Sequence, residues 1–107
     1  MPSTQTIRHG EIAGSTDAAQ MPSNTYRWGY IKALEDNAGN VYIGSSSDVV
    51  IKSDSTTDGT GFQMDAGDVM VLDFLPPDLH LNLNEHWYIT DNSGDGLTYY
   101  LRDWVST

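Results

Sequence analysis

DNSGDGLTYYL, residues 91–101, admits two readings that lead to different folds. Asp91, Ser93 and Asp95 stand at alternate positions ahead of Gly96, as ligands do in the first half of a helix-flanked calcium loop. Such a loop needs oxygen donors at positions 1, 3 and 5, a glycine at 6 and a bidentate glutamate at 12. Counted from Asp91, position 12 is Arg102. A guanidinium cannot ligate a cation. The residues after the glycine, Leu97, Thr98, Tyr99 and Tyr100, are those of a strand rather than a helix. The stretch therefore reads as turn chemistry followed by a strand: glycines accept positive φ, and Asp and Asn bond local backbone.

The rest of the composition agrees. Twelve of the fifteen acids are Asp and only three are Glu, a choice suited to turns rather than helices. The 107 residues fit one domain with a modest core. Three Trp, six Tyr and two Phe supply enough large apolar contact to fold it. Fifteen acids against five bases give a formal charge of −10, which argues against binding a phosphate backbone, so nucleic acid is not an expected partner. With no cysteine there is no disulfide framework, thiolate zinc site or cysteine nucleophile. No stretch approaches the ~20 apolar residues of a membrane span, and the first twenty residues lack the apolar core of a signal peptide. A chain made and used in soluble form, without membrane contact, is expected.

Along the chain, residues 1–24 are polar and broken by Pro2, Gly10, Gly14 and Pro22, with Ile12 and Met21 as the large apolar residues past Met1. They read as an extended N-terminal arm, with a single β-sandwich domain over 25–107. On that division, deleting residues 1–20 is expected to leave the fold intact. TYRWGYIKAL is a strand run and EDNAGN a turn; VYIG is a short strand; DSTTDGTG is a loop. In GFQMDAGDVMVLDFL a turn at Asp65 to Gly67 precedes a strand whose even side, Met70, Leu72 and Phe74, is expected to face the core. Pro76 and Pro77 end it. Leu79, Leu81, Leu83, Trp87 and Ile89 share one parity, as one long strand or two short ones. No window carries a 3.6-residue apolar period. The fold expected is a compact antiparallel β-sandwich, jelly-roll-like or immunoglobulin-like, two architectures that share short strands and differ in connection order.

The chemistry-bearing residues are sparse. His9, His80 and His86 are the only imidazoles, and on one straight strand His80 and His86 stand roughly 20 Å apart at ~3.3 Å per residue, too far to share a metal. Asp65 with Asp68, and Asp91 with Asp95, flank turns, and nothing in the sequence supplies the apolar pocket that acid–base work by paired carboxylates needs. No GxSxG, phosphate-cradling loop or HExxH is present. No catalytic residues, metal or cofactor are expected. Trp28, Tyr30, Trp87 and Tyr99 suit either sugar stacking or core packing, and Trp104, at the chain end, suits an interface anchor.

Four segments, AAQMPSNTYRWGYIKA, NAGNVYIGSS, GFQMDAGDVMVLDF and LNEHWYITDNSGDGLTYYL, occur in the order and near the spacing of a group of small proteins of tailed bacteriophages. In those, an "AxQLP" element and an "IKA" strand precede "NxGxVYVG", "GxxLxAGxxLxL" and "LNxxYxIxxxxGxxVxYL". Over roughly residues 18 to 101 the chain resembles that group. The resemblance implies a non-enzymatic β-sandwich of the virion, a capsid decoration or cement protein. Such a protein is a trimer on the outer surface of the head, bound to the major capsid protein, and is present in the host cytoplasm during assembly. The chain departs from the pattern in a longer loop at residues 53–61 and in PPDLHLN at residues 76–82. Interface residues expected on this reading are Ile12, Met21, Trp28, Leu79, Leu81 and Trp104. A tail or head-to-tail component, and a carbohydrate-binding module of a receptor-binding complex, are the competing functions.

Overall fold

The computed structural model describes residues 3–51, 61–72 and 81–106. Ten strands follow one another: β1 Ser3–Ala13, β2 Ala19–Gln20, β3 Thr25–Tyr26, β4 Trp28–Ala33, β5 Val41–Gly44, β6 Phe62–Met64, β7 Val69–Leu72, β8 Leu81–Asn82, β9 Trp87–Thr90 and β10 Gly96–Ser106. A single turn of 3-10 helix, Leu83–Glu85, lies between β8 and β9. The described residues contain no α-helix, as the absence of a helical apolar period requires.

The pairing has a simple rule. β1 pairs with β10, β2 with β9, β3 with β8, β4 with β7 and β5 with β6, all antiparallel. The chain is thus one long hairpin whose second half retraces its first. Wrapping that ribbon on itself lays β4 beside β10 and β5 beside β9. The result is two four-stranded sheets, ordered β1-β10-β4-β7 and β2-β9-β5-β6, with β3-β8 as a short outlying pair. This is the connection order of a jelly roll, so of the two sandwich types left open by the sequence the pairing selects one.

Between the sheets lies the main core, formed by Ile12, Ile31, Ala33, Leu72, Leu97 and Leu101 from the first sheet and Val41, Ile43, Met64 and Tyr88 from the second, closed by Met21, Tyr26 and Leu83. Strand alternation explains the choice. In β4, Gly29, Ile31 and Ala33 are buried while Trp28, Tyr30 and Lys32 point the other way. In β7 the even side faces the core as expected: Leu72 is buried and Met70 packs against the core, while Val69 and Val71 face out. Phe74 lies outside the described residues.

Two sequence expectations meet a different local structure. The common parity of Leu83, Trp87 and Ile89 is broken by the 3-10 turn. Asn82 caps that turn, its side chain accepting from the Asn84 N–H while Glu85 accepts from the Asn82 N–H. Two short strands result, and it is Tyr88 and Thr90 that face the main core. Residues 3–24, expected as an arm, are extended but integrated. β1 pairs with β10 at eleven positions, from Ser3 opposite Ser106 to Ala13 opposite Gly96, and β2 adds an edge to the second sheet. The reason is that β10 is as long as β1 and has an open edge that only an antiparallel partner of similar length can satisfy. Removing residues 1–20 would therefore strip a strand from each sheet.

Candidate functional site

The DNSGDG stretch resolves into a clasp. Asp95, almost fully buried, accepts the Ala38 N–H at 2.8 Å, the Gly39 N–H at 3.2 Å and the Asn92 side-chain amide at 3.2 Å. Asp91 accepts the Asn40 N–H at 2.8 Å and the Tyr42 hydroxyl at 3.4 Å. Asn37 and Gly96 exchange two bonds, Asn37 Nδ2 to the Gly96 carbonyl at 2.9 Å and the Gly96 N–H to Asn37 Oδ1 at 2.8 Å. The two acidic turns, 35–40 and 91–96, thus satisfy each other's backbone, which is how buried carboxylates are normally compensated. A side chain at Gly39 would place a Cβ 2.6 Å from that of Asp91, so only glycine lets the turns meet. Among the described residues no group of three or more His, Cys, Asp or Glu side chains converges as metal ligands do.

His9 and His86 lie on different elements. His9 is exposed on β1, His86 follows the 3-10 turn, and His80 lies outside the described residues. His86 Nε2 and the Tyr26 hydroxyl are 2.8 Å apart, and the rings stack at 6.2 Å. Burial lowers the His86 pKa from its ordinary value, with neighbouring Glu85 opposing the shift. Burial, assisted by Glu85, raises Tyr26 to about 12. The pair ties β3 to the segment between the 3-10 turn and β9.

What remains is a surface. Register places three residues of β1, three of β10, three of β4 and two of β7 on the outer side of the first sheet, in rows. Glu11, Thr98, Lys32 and Val69 form one row; His9, Tyr100, Tyr30 and Val71 the next; Ile7, Arg102 and Trp28 the third. Ile7 is 50% exposed, Val69 47% and Val71 59%, so this face carries three of the four exposed large apolar residues of the described chain. Tyr30 and Tyr100 stack at 5.7 Å and 12°, and the Arg102 guanidinium lies 5.3 Å above the Trp28 ring and 6.0 Å from that of Tyr100. A shallow cavity of about 580 Å³ opens over Thr98 beside His9, Glu11, Tyr30 and Tyr100. A second, of about 330 Å³, lies on the other side of Thr98 against Lys32, Leu34, Glu35 and Asp36.

The expected interface residues fall in different places. Ile12 and Met21 are spent in the chain's own core, because β1 and the segment after β2 close the sandwich from one end. Leu81 is half-buried against the same core. Trp28 lies on the open face. Trp104 belongs to β10 opposite Gln5, and Leu79 lies outside the described residues. Of the aromatics suited to sugars, Trp87 packs in a second cluster under Val49 and Ile51, and Tyr99 turns inward to fill the space beside Gly10. Tyr30 and Tyr100 turn ring faces toward each other. The exposed valines were not singled out from the sequence, though VMVL carries their signal: apolar residues at both parities need cover on both sides.

Comparison with known proteins finds no match to the chain among family models, curated proteins or solved structures. No helix among the described residues is long and apolar enough to cross a membrane.

Proposed function

We propose that the protein is an assembly component of a tailed-bacteriophage virion, a non-enzymatic head decoration protein that binds the major capsid protein lattice and works as an oligomer. The observation that carries the reading is the open aromatic and apolar face of the first sheet. A domain whose acidic turns are clasped together and whose described residues leave one sheet face with large apolar side chains exposed is suited to being covered by protein. The resemblance in the sequence supports the phage context. Its four segments coincide with β2 to β4, with β5 and the turn before it, with β6 and β7, and with the 3-10 turn through β10, all of which build the sandwich. Copies arrayed on a lattice gain avidity without tight individual contacts.

The test is the copy number in purified virions, by quantitative mass spectrometry against the major capsid protein. Hundreds of copies, near the number of capsid subunits, are expected. A handful would move the protein to the tail or connector, and none would remove it from the virion.

A further inference from the structure

The open face has a particular charge pattern. Of the four Lys and Arg among the described residues, Lys32 and Arg102 lie on it, with His9 beside them and Glu11 as the single acid among its described rows. Everywhere else the protein is acidic enough to repel its own copies at a formal charge of −10. Glu11 and Lys32 sit in one row on opposite flanks of Thr98. That placement is self-complementary: a two-fold rotation about an axis in the interface exchanges the flanks and sets each acid near the other copy's base.

We propose that this face is closed by a second copy of the chain, packed sheet on sheet about a two-fold axis running between β10 and β4, with Glu11 of each copy beside Lys32 of the other. The rotation lays β1 over the second copy's β7, so that Ile7 and His9 cover the strand carrying Val69 and Val71. It lays β10 over the second copy's β4, bringing Tyr100 to Tyr30. Arg102, whose ring contacts already hold it flat, meets Trp28 from both sides, and its Nε has no hydrogen-bond partner among the described residues to give up. The existing Lys32–Glu35 contact, 3.0 Å long but with the Glu35 side chain 75% exposed, is weak enough for Lys32 to exchange. Four strands at ~4.8 Å by eight residues at ~3.3 Å span about 19 by 26 Å, the low end of specific interfaces, so the dimer is concentration-dependent.

This inference rests on reading the open face as an interface, and its test needs no virion. Sedimentation or light scattering of the purified chain from about 1 to 200 μM is expected to show a monomer passing into a dimer. Glu11→Lys alone, and Lys32→Glu alone, are expected to weaken the dimer by roughly tenfold or more, through like charges opposed across it. Circular dichroism should leave both folds unchanged, since both sites are on the surface. Mixing the two variants is expected to restore dimers, because each mixed contact pairs opposite charges, and the double variant is expected to dimerise with itself.

A wild-type chain that stays monomeric throughout overturns the proposal. So does a three-chain species, which no two-fold contact closes, or a mixture no stronger than either variant. A monomer whose Val71→Glu variant loses its place on the virion would leave the proposed function standing and give this face to the capsid protein.

Discussion

The two sheets of this sandwich treat their outer faces differently. On the second sheet, Tyr42 and Ile89 point away from the main core, yet Tyr42 is 1% exposed, because Val49, Ile51 and Ala18 from the connecting segments fold over it together with Trp87. On the first sheet, no comparable cover from the described residues lies over Val71, Val69 and Ile7, which are about half-exposed. Both faces carry large apolar and aromatic residues, the first sheet's together with Glu11, Lys32 and Arg102. One is a second core and the other is exposed, and among the described residues the difference lies in which connecting segments return across them.

That comparison can be broken by mutation. Tyr42→Ala should cost about 3–5 kcal/mol in chemical denaturation, as large aromatic truncations in cores do. A loss under about 1 kcal/mol would mean the cover over the second sheet is loose. Asp95→Ala should come next, at about 2–3 kcal/mol, because the Ala38 and Gly39 N–H groups lose a buried acceptor. A circular dichroism melt that left Tm unmoved would show that water replaces the carboxylate and that the clasp is not closed.

A smaller effect tests the pair between the sheets. His86 has a folded pKa below its ordinary 6.5, so its neutral form contributes stability that is full above about pH 6.5 and lost as the pH falls through the folded value. Tyr26 has a folded pKa raised to about 12 from 10, so its contribution is full below pH 10 and lost as the pH climbs toward 12. Stability against pH should therefore sag at both ends. His86→Asn should flatten the acid limb, and an acid limb identical in the variant would place its origin elsewhere. The smallest effect should be Val71→Ser on the open face, within about 0.5 kcal/mol for the monomer. A larger loss would mean that this face, too, is part of a core.

Much of the fold is legible locally. The even side of β7, Met70 and Leu72, is assigned to the core from the sequence, because a strand's side chains alternate whatever it pairs with. The DNSGDG stretch reads as a turn because Arg102 stands where a calcium loop needs glutamate. Parity fails where a local cap interrupts the strand: the Asn82–Glu85 capping box resets it, so that Tyr88 rather than Ile89 faces the main core. Trp28 was visible as a surface aromatic, whereas Ile12 and Met21 look like free arm residues until β10 is seen to hold β1 along its length.

The sequence by itself determined the all-β class, the position of the turns and the inward side of β7, since each depends on residues a few positions apart. The tertiary structure decided the jelly-roll order, the use of residues 3–24 inside the sandwich and which apolar face stays open. Those depend on pairing between residues as far apart as Ser3 and Ser106, and periodicity carries no information about which distant strand supplies the partner.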